Sequence, residues 1–369
     1  MIKFLDLNNQ YLKIKNEIND AIFNVIESSE YINGKFNREF EENFSKFIGV
    51  NHCIGVGNGT DALEIALTSL ELPLNSEIVV PANTFVATAE AVIRSGHKVI
   101  FADVDEETYL INGKTLASAI TPNTKAVIAV HLYGQSCDIG SIKEVCDKHS
   151  LYLIEDCAQA HGAKFQNQSI GKFGDVNAFS FYPGKNLGAY GDAGAITTNN
   201  SLLSEKCRKI ANHGRVAKYD HEFVGRNSRL DGMQAAILTV KLRHLDLWVK
   251  QRNIIAAFYL ENLKGLGDLI LPVCRNNVTH AYHLFVIRTK YRNELCEYLK
   301  THGIETGIHY PIALPKLKAF NTLPMTEDLV NSSVMKNDSR ILSLPVGEHL
   351  SLNQAKLVVN FVRDFFENN

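Results

Sequence analysis

The chain has 369 residues, 45% of them hydrophobic and 21% charged, with a formal net charge of -2. That composition predicts a globular protein with a sizeable core, built as one large domain and a smaller one. No long run of one charge and no apolar run near the roughly 20 residues of a membrane span is present, so neither a nucleic-acid surface nor a membrane anchor is expected. The start, Met1-Ile2-Lys3-Phe4-Leu5-Asp6, has no basic region leading into an apolar core, so a cytoplasmic protein is expected. Seven cysteines (53, 137, 146, 157, 207, 274 and 296) are scattered without a CxxC pair, which predicts buried thiols in a reducing compartment. Cys146 and His149 share a helical spacing, but no second ligand pair accompanies them, and no metal site is expected.

The elements alternate. Residues 11–28 carry Leu12, Ile14, Ile18, Ala21, Ile22, Val25 and Ile26 at helical spacing. After a turn at Asn33-Gly34, Phe36, Phe40, Phe44 and Phe47 form a second helical stripe, read as a packed face. Cys53–Val56, Ile78–Val80, Val99–Ala102, Ala126–Val130 and Leu151–Ile154 are apolar, β-branched runs separated by helix-length segments. A sixth strand-like run, Asn177–Phe181, follows. Near-continuous apolar strands between helices predict an α/β fold with a mostly parallel sheet covered on both faces. Ligands of such sheets bind beyond the carboxyl ends of the strands.

Four segments stand at that edge. Gly57-Asn58-Gly59-Thr60-Asp61 permits a tight strand-to-helix turn, and Asp61 with Glu64 has capping-box spacing; the helix start is either a phosphate site or a plain capped turn. Phe85 either stacks on a flat ring or packs in the core. Asp156 directly follows an apolar run, where a buried carboxylate is costly without a cationic or hydrogen-bonding partner. Lys185, 29 residues later, sits in Ser180-Phe181-Tyr182-Pro183-Gly184-Lys185-Asn186-Leu187-Gly188. A lysine becomes nucleophilic where a confined site lowers its pKa, and such a lysine can form a Schiff base with an aldehyde cofactor.

Taken together these segments resemble the pyridoxal 5'-phosphate (PLP) set of the aspartate aminotransferase fold. More narrowly, the chain is similar to the DegT/StrS-type nucleotide-sugar aminotransferases. The likeness runs from Phe4-Leu5-Asp6-Leu7 to about Pro311, through Pro81-Ala82-Asn83-Thr84-Phe85, Val130-His131-Leu132-Tyr133-Gly134, Glu155-Asp156-Cys157-Ala158-Gln159-Ala160-His161-Gly162 and Gly225-Arg226-Asn227-Ser228-Arg229-Leu230-Asp231. The resemblance implies these roles. Lys185 carries the cofactor and shuttles a proton; Asp156 keeps the pyridine nitrogen protonated; Gln159 meets the ring hydroxyl; Phe85 stacks on the ring. Gly59, Thr60 and Ser180 hold the phosphate. Asn227 reaches the phosphate across a subunit interface, which implies a homodimer with shared active sites. His161, Tyr182, Arg229, His309 and Tyr310 are implied to face the substrate, with a structural role open for His161 and Arg229.

Two positions depart from the family pattern. Gly184 replaces the usual Ser or Thr before the lysine, and His309-Tyr310-Pro311-Ile312-Ala313-Leu314-Pro315 keeps only the first half of the usual His-Tyr-Pro-x-Pro-Leu-His. Lysine at 185, where dehydratase relatives have histidine, implies transamination. The run Phe179–Asp192 resembles the branch that aminates C3 of dTDP-3-keto-6-deoxyhexoses, with L-glutamate as the implied donor. The alternatives are C4 amination of a 4-keto-6-deoxy nucleotide sugar, another PLP reaction, and a non-catalytic sensor on the same fold. Residues 1–250 are expected to form the large domain and 251–369 a small C-terminal α+β domain. The expected elements there are a broken helix Asp231–Leu263, a strand Tyr282–Ile287, a helix from about Asn293 to His302 and a last helix opened by Ser351-x-x-Gln354. Residues 313–338 show no period, as either a mobile loop at the site mouth or ordinary surface.

Overall fold

In the computed structural model, which describes every residue except Pro324, Thr326, Asn331 and Asn369, the apolar runs form one sheet. Its strands are β1 (His52–Val56), β2 (Glu77–Pro81), β3 (Lys98–Ala102), β4 (Thr124–Val130), β5 (Tyr152–Asp156), β6 (Val176–Ser180) and β7 (Gly194–Thr198), in the spatial order β1-β7-β6-β5-β4-β2-β3. Only β7 runs against the others: β2/β3, β2/β4, β4/β5 and β5/β6 are parallel, and β7 is antiparallel to both β6 and β1. The central strands are buried along almost their whole length, as their Val, Ile and Ala runs require once helices cover both faces. The expected α/β fold with a mostly parallel sheet is the observed one.

The phenylalanine stripe lies on helix Lys35–Ile48, with Phe40 and Phe44 fully buried. Phe44 meets Phe179 and Phe181 edge to face at 4.9 and 5.2 Å, and Phe40 meets Phe181 at 5.3 Å. This ring cluster braces the end of β6, from which the lysine loop departs.

Several boundaries differ from expectation for local reasons. The predicted helix 11–28 is two helices, Leu7–Lys13 and Lys15–Ser28, because Ile14 leaves the helical conformation. The apolar period survives the break, since Ile14 and Ile18 bury against Ile237, Val240 and Trp248. Asp231–Leu263 is also two helices, Gly232–Leu242 and Leu245–Asn262. The expected strand Tyr282–Ile287 starts only at Phe285 and runs to Arg288. Before it, Ala281 and Leu284 donate their N–H groups to Gly134 and Tyr133 rather than to a ladder.

Phe285–Arg288 pairs antiparallel with Ile341–Leu344, and helices Arg292–Thr301 and Leu352–Glu367 pack over them. The last helix opens with the expected Ser351/Gln354 capping box. Ile2 joins this cluster through its bond to Gly303, so the N-terminus closes onto the C-terminal part of the chain. Residue 250 falls inside helix Leu245–Asn262, whose first half packs on the sheet side and whose second half packs on the C-terminal side. In the aperiodic segment, the described residues include the turn Leu314–Lys316 and helices Glu327–Val330 and Ser333–Asn337; part of that segment lies outside the described residues. Among the described residues no helix is long and apolar enough to cross a membrane.

Phe44→Ala empties a ring site between β6 and its covering helix. It should lower unfolding stability by about 3–5 kcal/mol in urea titration, whereas a loss below about 1 kcal/mol would contradict the bracing role.

Candidate active site

A cleft of about 790 Å³ opens at the carboxyl ends of β1, β2, β5 and β6. Its floor is set by Asp156, the last residue of β5. Asp156 is 5% exposed; its Oδ2 accepts from Thr88 Oγ1 at 2.9 Å and its Oδ1 from the Ala158 N–H at 3.1 Å. Among the described residues no basic side chain comes within ion-pair distance of it, and burial raises its pKa above the ordinary carboxylate value. The preceding residue, Glu155, points to the other face of the strand, as alternation requires. It is fully occupied, by His131 Nε2 at 2.9 Å and by the N–H groups of Gly171, Phe173 and Gly174. Burial alone would raise its pKa, but His131 and these donors bring it below the ordinary value. His131, Glu155 and Cys157 lie close enough together to suggest a metal cluster. Both His131 ring nitrogens are engaged, however, since Nδ1 meets the Cys137 N–H at 3.0 Å, so the group reads as a satisfied buried network.

Lys185 enters the same cleft from the loop after β6. The loop is pinned at several points. The Lys185 N–H donates to the Tyr182 carbonyl at 2.8 Å, and the Ala189 N–H to the Phe181 carbonyl at 2.8 Å. The fully buried Lys241 Nζ donates to the Gly188 carbonyl at 2.5 Å. Asn186, 1% exposed, is held by Ala281 and His283. Burial pushes the Lys185 amine down to about 8, with Asp156 pulling the other way. Its neutral, nucleophilic form is therefore within reach near neutral pH.

The third part is the start of helix Gly59–Ser69. Its cap is Asn58, whose Oδ1 accepts from the Asp61 N–H at 2.8 Å. The expected Asp61/Glu64 capping box is therefore incorrect. Both acids instead pair with Arg226, and Glu64 also with Arg94 at 2.5 Å. Gly59 and Thr60 bring the first N–H groups of this helix to the cleft, next to Ser180. A Cβ on Gly59 would stand 2.5 Å from Ser180 Cβ, so only glycine lets the helix start approach β6 this closely.

Of the other predicted residues, Phe85, Gln159, Tyr182, His309 and Tyr310 line the cleft. Phe85 is 51% exposed and lies 5.4 Å from the Tyr310 ring. Gln159 donates to Tyr310 Oη at 3.0 Å and accepts from the Tyr133 N–H at 2.7 Å. His309 stacks on Phe4 at 5.6 Å, and burial pushes its pKa down to about 4. The second half of the divergent motif leaves the cleft, with Ala313 and Leu314 buried in the core.

Three predicted residues are not brought to the cleft of their own chain. His161 is 1% exposed and wedged between Phe179 and Phe181, with its pKa pushed down to about 3 by burial, so the structure supports packing rather than substrate contact. Arg229 faces a second cavity, where its Nη1 donates to Asn212 at 3.2 Å. Asn227 is exposed and forms a β-bridge with Asn212. Two residues at the site were missed by the sequence reading. Thr88 holds Asp156 from one turn into the helix after Phe85, and His283 lines the cleft from a segment with no motif of its own.

Residues 12–363 match the model of the DegT/DnrJ/EryC1/StrS aminotransferase family. The chain is 41% identical to the dTDP-3-amino-3,6-dideoxy-alpha-D-galactopyranose transaminase of Aneurinibacillus thermoaerophilus, over 99% of both chains. It is 39% identical to the dTDP-3-amino-3,4,6-trideoxy-alpha-D-glucose transaminase of Streptomyces venezuelae, over 99% of this chain and 96% of that one. The crystal structure of S. venezuelae DesV in complex with a ketimine intermediate superposes with a TM-score of 0.96 over 99% of this chain and 98% of that one, at 39% identity.

Because the folded pKa of Lys185 lies below its usual 10.5, the folded chain binds fewer protons than the unfolded one between about 8 and 10.5. Stability contributed by this group therefore rises with pH through that window. In cofactor-free protein, acylation of Lys185 by an amine-selective reagent, followed by mass spectrometry, should show a midpoint near 8. A midpoint matching the surface lysines would contradict the assigned burial.

Proposed function

The chain belongs to the DegT/DnrJ/EryC1/StrS aminotransferase family, and we propose that it transfers the amino group of L-glutamate to C3 of a dTDP-3-keto-6-deoxyhexose. The observation that carries the catalytic half of this reading is the pairing, in one cleft, of an unpaired buried carboxylate, Asp156, with a lysine whose amine is depressed to about 8. The relatives named for dTDP-3-amino sugars, aligned over nearly the whole chain, support the substrate half.

The cofactor of this family is PLP, and the cleft fits it. The helix start at Gly59 and Thr60 suits a phosphate, and the open side of Asp156 suits a protonated ring nitrogen. When bound, the cofactor supplies an electron sink for the pair released at the substrate carbon. The chain's own residues do the rest. Gly59, Thr60 and Ser180 bind and orient the phosphate. Asp156 holds the proton on the ring nitrogen, and Thr88 and Ala158 keep that carboxylate aimed. Phe85 covers one face of the cleft and Gln159 one edge. Lys185 Nζ takes a proton from the donor carbon and returns one to the acceptor carbon, which its lowered pKa permits.

We further assign the enzyme as a homodimer in which Asn227 of the second copy completes each site. Asn227 is exposed and outside its own cleft. The neighbouring strand pair Arg215–Ala217/Asp220–His221 carries Tyr219 at 86% exposure, and Val224 beside it is 99% exposed. Such apolar exposure suits a subunit contact.

Incubation with L-glutamate and the 3-keto sugar should give a product whose nitrogen NMR places on C3. Amination of the 4-keto-6-deoxy nucleotide sugar in place of the 3-keto sugar would redirect the assignment, and no amino sugar from either would overturn it. Lys185→Ala should lower kcat by at least about 10²–10⁴-fold, the worth of a positioned acid–base group, measured under saturating substrates. Mixing Lys185→Ala and Asn227→Ala proteins under subunit exchange should give more activity than either alone, since hybrid dimers hold one intact site. Simple averaging of the two activities would argue against shared sites.

A further inference from the structure

We propose that His283 is a substrate-recognition residue whose Nε2 accepts a hydrogen bond from a hydroxyl group of the sugar ring. This rests on the ketosugar reading above and extends it to a residue outside the motifs that carry that reading.

Asn186 is the chain neighbour of Lys185. Its Nδ2 donates to the Ala281 carbonyl at 3.1 Å. That contact fixes the amide orientation, because the reverse would set two oxygens against each other. The atom 3.2 Å from His283 Nδ1 is therefore Asn186 Oδ1, which only accepts. Nδ1 must carry the hydrogen. Burial, then the nearby charge of Lys185, pushes the His283 pKa well below its ordinary value, so the ring is neutral and Nε2 keeps its lone pair.

The backbone around this ring is held as firmly. The buried Arg252 guanidinium donates to the carbonyls of Tyr282 at 3.1 Å and His283 at 3.3 Å, and pairs with Glu348 at 3.0 Å. Gln10 clasps the other oxygen of Glu348 at 2.5 Å. Asn186 thus occupies one edge of the imidazole, and the buried chain of Arg252, Glu348 and Gln10 holds its backbone, in a half-buried residue that lines the cleft. Among the described residues nothing donates to Nε2. The other cleft imidazole, His309, has its Nδ1 engaged with Ser343 Oγ at 2.9 Å. The 3-keto-6-deoxyhexose brings ring hydroxyl donors at C2 and C4 into the cleft, whereas glutamate brings no hydroxyl and its amino group is engaged at the reacting centre, so a fixed neutral acceptor discriminates the second half-reaction from the first.

Two substitutions separate the edges of the ring. His283→Asn sets an amide nitrogen near the place of Nδ1, keeping the bond to Asn186 and deleting the cleft acceptor. His283→Gln sets an amide oxygen near the place of Nε2. On the holoenzyme, stopped-flow spectra give the rate constants of the glutamate and ketosugar half-reactions, and calorimetry gives the affinity for the dTDP-amino sugar. In H283N the sugar-to-glutamate rate ratio and the amino-sugar affinity should both fall about 3- to 10-fold, the worth of one neutral hydrogen bond. H283Q should recover most of both. Equal losses in the two half-reactions would show a structural role only and overturn the proposal, as would unchanged amino-sugar affinity in H283N. A wild-type enzyme that takes no ketosugar would overturn the assigned reaction itself, and the role of His283 with it.

Discussion

The structure depends on the way one strand end handles two adjacent buried carboxylates. Glu155 and Asp156 terminate β5 with side chains on opposite faces. Glu155 is saturated from within by His131 and three backbone donors. Asp156 receives two hydrogen bonds and faces the cleft. A buried carboxylate with a side left open costs several kcal/mol unless a cation meets it, so the fold carries a binding demand at its centre. A protonated heteroaromatic ring answers that demand, and its proton is what makes the ring an electron sink.

The other walls of the cleft are held in place by contacts behind them. The phenylalanine cluster sets the end of β6, and Lys241 and Asn186 anchor the loop that follows. Lys185 thereby sits in a partly desolvated place, which lowers its pKa, while Asp156 limits the fall. Replacing the lysine-loop anchors by water-exposed contacts would return the amine toward its ordinary, protonated state. The glycine at 59 lets the start of its helix close against β6, so the three elements of the cleft follow β1, β6 and β5 of one sheet.

Much of this was legible in the sequence. The β-branched runs gave the sheet because fully buried parallel strands have little choice of composition. Asp156 stood out as a carboxylate just after such a run, and Lys185 as a lysine in the short loop that leaves another. The misreadings have specific causes. Asp61 and Glu64 have capping-box spacing, but Asn58 caps first and Arg226, distant in sequence, captures both acids. Ile14 ends one helix and precedes another without interrupting the apolar period, so periodicity alone ran the two together. His161 lies in a dense motif, and the structural role left open for it fits its packing against Phe179 and Phe181 at the end of β6. Thr88 and His283 act through tertiary contacts with no local pattern to signal them.

The most direct test of the central claim is the visible absorbance of PLP-loaded enzyme as the two substrates are added in turn. L-glutamate should abolish the visible band, dTDP-3-keto-6-deoxyhexose should restore it, and Lys185→Ala protein should lack the wild-type band at the outset. A band that ignores glutamate, or that the ketosugar fails to restore, would contradict that claim.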